Sequence, residues 1–337
     1  MPSSKRAGAR PVGLTLLGLG LLVWCWAAMI AMPGPRRRGP LQPPTPAQRR
    51  LAAELRRDVE RLASEIGARN LHSHPDALMR AADFIEAELR AAGLSPARHC
   101  WDPESPLSCN IEAELRGRRE IVVVGAHYDS VNSPGADDNA SGVAAMLALA
   151  RGLAQERPAH PFGSIRFVAF ANEEAPYSHS EAMGSLAYAR RCRARGERVA
   201  GMMSIESIGY YSDRPGTQRY PAPVGWFYPS TGDFVALVSD LGSRRLLRRA
   251  VASFRRATAL PSEGGALPAA LPGIGWSDHW AFWQAGYEAI MVTDTVPFRN
   301  PHYHQPSDLP DTLDYDRMAQ VVAGLRAVIL EWAEAAR

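Results

Sequence analysis

Residues 125–142, GAHYDSVNSPGADDNASG, combine one imidazole with three carboxylates directly after the β-branched run EIVVV. The run predicts a buried strand that ends near His127. Asp, Asn, Ser and Gly are also the residues that surface turns prefer. Taken alone, the stretch therefore fits a plain turn and a metal site equally well, and the rest of the chain has to decide between them.

Acidic and imidazole side chains also follow three other predicted strands. IRFVAFAN leads into Glu173 and Glu174, GMMSIE ends at Glu206, and the loop after AIMVTDT contains His302 and His304. The carboxyl ends of parallel strands converge on the ligand crevice of an open sheet. Residues far apart in the sequence are therefore predicted to meet at one point, which four unrelated surface turns would not require.

The donor types gathered in this way suit divalent cations. Two imidazoles and three or four carboxylates can hold two ions with one carboxylate bridging them, and N and O donors of this kind suit zinc. Two such ions polarise a carbonyl and lower the pKa of water. The neighbouring side chains of Glu173 and Glu174 point in different directions, so one can hold metal while the other faces the substrate. The unligated carboxylate would move a proton from water to a leaving amine.

Alternating strand and helix patterns predict the scaffold that positions these residues. They indicate an α/β fold, a single domain with a mixed, largely parallel sheet flanked by helices on both faces. Residues 211–231 and 261–277 are predicted to be long loops that shape a pocket. Strands are predicted near 111–115, 121–126, 165–171, 202–206 and 288–293, and helices near 48–68, 75–93, 141–154, 183–193 and 315–336.

Several motifs occur together in one order, namely AHYDS, GADDNASG, FANEEAPY with MGS, SDHWAF and NPHYHQPSDLPDTLDY. In this order they resemble the di-zinc aminopeptidases of peptidase clan MH, family 28. The resemblance runs from about residue 50 to the C-terminus. It implies the zinc-exopeptidase fold, two Zn²⁺ ions per chain and peptide substrates.

The resemblance also implies roles for individual residues. Glu173 matches the general base, and Asp129 matches the carboxylate that orients a histidine ligand. A cis peptide bond is expected after Asp138, the bridging ligand. Glu206 stands where most relatives have Asp, and its extra methylene is expected to loosen the first zinc or change its ion. The implied metal ligands are His127, Asp138, Glu174, Glu206 and His304.

Other polar residues near these motifs have simpler interpretations. Asp137 is expected to cap the loop or the following helix. His302 is expected at the rim of the site and not as a ligand. Asp278 and His279 are expected to cap a short helix, with pocket lining as the alternative.

Charge divides the chain into an N-terminal part and a body. Eight of the 38 Lys and Arg residues and none of the acidic residues precede residue 51. The remaining 30 basic residues are outnumbered by all 35 acidic residues, which argues against a nucleic-acid-binding surface on the body.

The N-terminal part carries a segment without charge. Residues 11–33 are long and apolar enough for a transmembrane signal anchor, between a basic tail (1–10) and a Pro/Arg-rich linker (34–47) that has no evident way to bury itself. The peptidase domain is then 48–337, and we expect it outside the cytoplasm on a single-pass anchor, or secreted after cleavage. In that compartment Cys100 and Cys109 form a disulfide or remain two buried thiols.

These observations predict a membrane-tethered zinc aminopeptidase. A glutaminyl-peptide cyclotransferase of the same fold with one zinc, a carboxypeptidase and a non-catalytic ectodomain are the alternatives. The sequence does not predict the preferred N-terminal residue or the oligomeric state.

Overall fold

A single eight-stranded sheet organises the protein. The computed structural model describes residues 20, 27, 29–39, 41–102, 105, 107–156 and 162–336. The predicted tail 1–10 and most of the predicted anchor 11–33 lie outside these residues. The strands are β1 (Ala97–Cys100), β2 (Cys109–Leu115), β3 (Arg118–His127), β4 (Gly163–Phe170), β5 (Arg198–Glu206), β6 (Val235–Ser239), β7 (Ser262–Ala266) and β8 (Ala289–Thr293).

The sheet has the order β1-β2-β4-β3-β5-β8-β6-β7. Its four central strands, β4, β3, β5 and β8, run parallel to one another. Antiparallel pairing occurs between β1 and β2, between β2 and β4, and between β6 and β8. The predicted mixed, largely parallel sheet is therefore confirmed.

Helices cover both faces of the sheet because the central strands are apolar on both sides. In β3, Val122 and Val124 point into one core and Ile121 and Val123 into the other, since side chains of a strand alternate between faces. The helices are α1 (Pro46–Val59), α2 (Pro75–Ala91), α3 (Gly142–Glu156), α4 (Gly184–Ala194), α5 (Arg244–Ala257), α6 (His279–Gln284), α7 (Val296–Arg299) and α8 (Tyr315–Ala335).

The predicted loop 261–277 is partly wrong, because its first residues form β7. The SEGGA sequence has no β-branched residue and gives no strand signal, yet all five residues are buried against β6. The other predicted loop, 211–231, is irregular apart from one short helical turn, Val224–Trp226.

The predicted boundary between the anchor (11–33) and the linker (34–47) is also wrong in one respect, because the last residues of the anchor and the first residues of the linker both lie against the domain. Residues 30–36, here called the docking segment, lie against α5 and β7. Ile30 is buried, and Arg255 of α5 donates hydrogen bonds to the carbonyls of Pro33 (3.0 Å) and Gly34 (3.2 Å). The basic side chains of α5 supply the partners that the linker sequence lacks.

No helix within the described residues is both long and apolar enough to cross a membrane.

A disulfide joins Cys100 and Cys109, which face each other across the β1–β2 pair with Cα atoms 4.0 Å apart. The structure thereby decides between the two states left open by the sequence. Cys192 is a buried free thiol in α4.

Candidate metal centre

The carboxyl ends of the parallel strands lie side by side and deliver most of the predicted residues. His127 ends β3 and pairs with Phe170, the last residue of β4. Glu173 and Glu174 follow Phe170 by only three and four residues and therefore lie near His127. Glu206 ends β5, the neighbour of β3 on its other side. The convergence predicted from the sequence is therefore present.

The first group of donors consists of His127, Asp138 and Glu206, all buried. Nε2 of His127 lies 3.2 Å from Oδ1 of Asp138 and 3.2 Å from Oε2 of Glu206. Nδ1 of the same ring lies 3.2 Å from the backbone carbonyl of Asp129, which fixes the ring orientation and leaves Nε2 facing the two carboxylates.

The second group consists of Asp138, Glu174 and His304. Nε2 of His304 lies 3.1 Å from Oδ2 of Asp138 and 3.3 Å from Oε2 of Glu174. The two oxygens of Asp138 therefore face different groups, as a bridging carboxylate requires. The peptide bond between Asp138 and Asn139 is cis, as the family resemblance implies.

The spacing of these atoms fits a divalent cation. Ligand atoms about 2.0 Å from a tetrahedral zinc are about 3.3 Å apart, close to the separations in both groups. Within the described part of the chain, Oε1 of Glu174 is buried and has no hydrogen-bond partner. Four buried carboxylates, those of Asp138, Glu173, Glu174 and Glu206, lie together here, and such a cluster needs positive charge to be stable.

The pKa values of the buried cluster in the absence of a metal ion reflect its need for positive charge. Burial lowers the pKa of His127, but the carboxylates of Glu206 and Glu173 outweigh it and raise the pKa well above its usual value. Burial raises the pKa of Glu174 to about 7, and the nearby Asp138 charge adds to the effect. The cluster therefore retains protons at neutral pH, and a divalent cation would replace them.

Glu173 belongs to neither donor group. Its Oε2 lies 3.9 Å from Nε2 of His127, and the side chain lines the adjoining cavity. Burial and the like charges of Glu206 and Glu174 raise the pKa of Glu173 well above its usual value, although His127 opposes them. A buried, unligated carboxylate with a raised pKa is suited to proton transfer.

Asp129 has a broader structural role than the one predicted. Its carboxylate accepts hydrogen bonds from the backbone N–H groups of Glu173 (3.2 Å) and Glu174 (3.1 Å), and Oδ1 lies 3.5 Å from Nδ1 of His127. It thus fixes the backbone of both glutamates as well as the region around the histidine.

Three buried residues that sequence reasoning missed hold the donors in place. Ser277 donates a 2.8 Å hydrogen bond to Oε2 of Glu206. Asp308 accepts hydrogen bonds from the backbone N–H groups of Asp137 (2.9 Å) and Asp138 (3.2 Å). Asn139 donates to the carbonyl of Ile205 (2.9 Å) in β5. Asp308 lies within the quoted NPHYHQPSDLPDTLDY motif, but nothing in its spacing indicates this contact.

The residues given simpler interpretations lie outside the donor groups. Asp137 does not act as a helix cap; it joins two loops by accepting from the N–H of Gly209 (2.8 Å) and the amide of Asn300 (2.7 Å). His302 hydrogen-bonds Ser307 (2.9 Å) beside the site. Asp278 precedes α6 without a side-chain capping bond among the described residues, so that expectation is wrong.

A cavity of about 380 Å³ opens from the donor groups. Asp138, Glu174, Glu206 and His304 of the donor groups border it together with Glu173. Much of the remaining wall is apolar or aromatic and includes Tyr220, Tyr228, Phe234, Leu271, Trp276 and Phe298. No Arg or Lys is among the described residues that line it.

The sheet topology, the donors at its strand ends and the adjoining cavity define the class of the protein, an α/β protein of the zinc-exopeptidase type. Comparison with known sequences gives the family. Residues 110–329 match Peptidase family M28, and the chain belongs to this family.

Individual relatives agree with this assignment. The chain is 43% identical over 216 residues to a protein of Escherichia coli (strain K12) described as uncharacterized protein YfbL, covering 61% of this chain and 65% of that protein. It is 29% identical over 234 residues to leucine aminopeptidase 1 of Trichophyton equinum, covering 64% of this chain and 56% of the relative. The matches therefore span less than two thirds of these relatives.

Solved structures share the fold. The zinc aminopeptidase of Bacillus subtilis superposes with a TM-score of 0.64 at 16% identity, covering 83% of this chain and 94% of that structure. A glutaminyl cyclase of Bacteroides thetaiotaomicron superposes with a TM-score of 0.60, also at 16% identity, covering 83% and 97%. The fold alone therefore does not separate these two activities.

Proposed function

We propose that the protein is a two-zinc aminopeptidase that hydrolyses N-terminal residues from peptides. The observation that carries the proposal is the pair of donor groups sharing Asp138, with the unligated Glu173 beside them at the cavity. Family membership and the similarity to leucine aminopeptidase 1 support it.

In the proposed mechanism one ion would be held by His127, Asp138 and Glu206, and the other by Asp138, Glu174 and His304. When bound, the ions supply Lewis-acid polarisation of the scissile carbonyl and acidify water. The Glu173 carboxylate takes a proton from the attacking water and delivers it to the departing amine. Asp129 keeps Glu173 and Glu174 in position through their backbone N–H groups.

The charge of the cavity favours an aminopeptidase over a carboxypeptidase. A C-terminal carboxylate would need a cationic partner, and the described lining contains no Arg or Lys.

The decisive variant is Glu173→Gln, which keeps the side-chain shape and removes the proton acceptor. We expect kcat on Leu-p-nitroanilide to fall about 10²- to 10⁴-fold, while two zinc ions per chain remain bound by elemental analysis. Glu334→Gln, an exposed position on α8, is the control. Full activity of Glu173→Gln would rule out the assigned base.

Glutaminyl cyclisation is the second candidate, because a cyclase shares the fold. Purified protein incubated with Gln-peptides and with Leu-anilides separates the two reactions. Pyroglutamate and ammonia from the Gln-peptides, with no aniline released from the Leu-anilides and one zinc per chain, would establish the cyclase. A chain that binds no zinc would instead be a non-catalytic ectodomain.

We also propose that the part of the predicted anchor 11–33 that precedes Ile30 holds the protein in the cell membrane and that the peptidase domain lies outside the cytoplasm. The disulfide between β1 and β2 supports this location, because disulfides persist in oxidising compartments. Two separate tests apply, namely carbonate extraction of isolated membranes for the anchor and protease accessibility in intact spheroplasts for the orientation. Release of the protein by carbonate would contradict the anchor, and protection from protease would contradict the orientation.

A further inference from the structure

One wall of the cavity is built on β7, which is an edge strand of the sheet. Glu263, Gly264 and Gly265 of this strand line the cavity. A Cβ atom on Gly264 would lie 2.8 Å from Cγ of Met32, so the docking segment packs directly on this strand. The N-terminal part of the chain is therefore in contact with a strand that shapes the substrate cavity.

Glu263 introduces a carboxylate into a largely apolar wall. The residue is 6% exposed, and its Oε2 has no hydrogen-bond partner among the described residues. Arg36, from the docking segment, places Nε 3.3 Å from this oxygen. Burial raises the pKa of Glu263, whereas the charges of Arg36, Arg255 and Arg38 favour the ionised form.

The docking segment is held in the position that this ion pair needs. Arg255 binds the carbonyls of Pro33 and Gly34, and Arg248 binds the carbonyl of Ala31. Arg255 is itself fixed by a 2.8 Å hydrogen bond to the carbonyl of Ser262, the residue before Glu263. Arg36 therefore contacts Glu263 from a segment that is held on the domain by hydrogen bonds.

We propose that Arg36 is a specificity-determining residue, which neutralises Glu263 so that the cavity accepts apolar and aromatic N-terminal side chains and disfavours basic ones. This inference rests on the proposed aminopeptidase function. Without Arg36, the Glu263 carboxylate is available to a Lys or Arg side chain of the substrate. An ion pair with a carboxylate that is buried, as Glu263 is, is stronger than one at an open surface.

The test compares Leu- and Lys-p-nitroanilide at pH 8 with the full-length, zinc-loaded protein. Wild type is expected to prefer Leu in kcat/KM. Arg36→Gln is expected to shift the Lys-to-Leu ratio toward Lys by about tenfold, the effect of one moderate charge interaction. The double variant Arg36→Gln/Glu263→Gln should lose this shift, and Arg36→Lys should retain the wild-type ratio. Arg37→Gln, an exposed neighbour, is the matched control.

A binding measurement separates this inference from the reaction itself. Calorimetric titration of L-leucinamide and L-lysinamide into the same charge variants, each carrying Glu173→Gln, reports the preference without turnover. The wild-type protein could fail to hydrolyse either p-nitroanilide while Arg36→Gln still shifts the ratio of lysinamide to leucinamide affinity. That result would refute the peptidase proposal and support the role of Arg36. A Lys-to-Leu ratio that stays within about twofold of the Arg37→Gln control in both assays overturns the inference, and so does a wild-type preference for Lys.

Discussion

Ser277 offers a direct test of how the first donor group is held. Its hydroxyl donates to Oε2 of Glu206, the oxygen that lies 3.2 Å from Nε2 of His127. Ser204 lies 2.8 Å from Ser277 and completes a short chain of hydroxyls beneath the carboxylate. The other carboxylate oxygen, Oε1, accepts from Ser207. Replacing Ser277 by Ala would leave Glu206 held by Ser207 alone.

The expected cost follows from the kind of bond that is lost. A hydrogen bond to a charged group contributes about 1.5–3 kcal/mol, and loss of a partner that orients a metal ligand typically lowers metal affinity about 10- to 100-fold. Ser277 is fully buried, so water does not readily replace the hydroxyl. We therefore expect Ser277→Ala to lower the zinc affinity of the first donor group by about 10- to 100-fold. The affinity of the second group, with Glu174 and His304, should change much less.

Chelator competition monitored by a zinc indicator measures the two affinities separately. Ser239→Ala is the control, because Ser239, the last residue of β6, is equally buried but its hydroxyl donates to the backbone carbonyl of the next residue, Asp240, outside both donor groups. The reasoning is refuted if Ser277→Ala binds both ions as wild type does, or if it weakens both ions equally.

Three further predictions concern stability. Chelator treatment should lower Tm, by the equivalent of about 3 kcal/mol for each ion removed at a metal concentration 100 times Kd, and added zinc should restore it; an unchanged Tm would show that the buried carboxylates need no cation. Burial acts to raise the pKa of Glu112, but the His99 ring and the Tyr188 hydroxyl overcome it and lower the pKa from 4.5 to about 2. The stabilisation is therefore complete above pH 4.5 and is lost as the pH falls toward 2, at most about 3 kcal/mol; urea unfolding from pH 6 to pH 2.5 should show a shallower loss in Glu112→Gln. Replacing Cys100 and Cys109 together by Ser should cost about 2–3 kcal/mol of unfolding free energy through lost loop constraint, and reducing agent should then have no further effect on the variant.

The scaffold was predictable from the sequence where strands are apolar on both faces. The runs EIVVV and IRFVAF produce β3 and β4 because every one of their Val, Ile and Phe side chains reaches one of the two cores. β7 was not predictable, because SEGGA is buried by its surroundings and not by its own hydrophobicity. Gly265, for example, lies against the hydroxyl of Tyr228, which would be only 2.6 Å from an added Cβ atom.

The donor residues were predictable because chemistry restricts their type and topology restricts their place. Asp, Glu and His at strand ends are visible in a sequence. Ser277 and Asp308 were not, because they act through contacts with residues about 70 and 170 positions away in the sequence. The contact between Arg36 and Glu263 was unpredictable for the same reason, because the Pro/Arg composition of the linker carries no information about a carboxylate in β7.

Contact of the docking segment with β7 also bears on solubility. The outer strand of an open sheet carries unpaired backbone groups that can pair with another chain. Met32 lies over this strand, and Ile30, two residues earlier, is buried. A chain shortened to begin at Pro46 would uncover this apolar border, and we expect it to self-associate in solution even though helix α1 and all eight strands are intact.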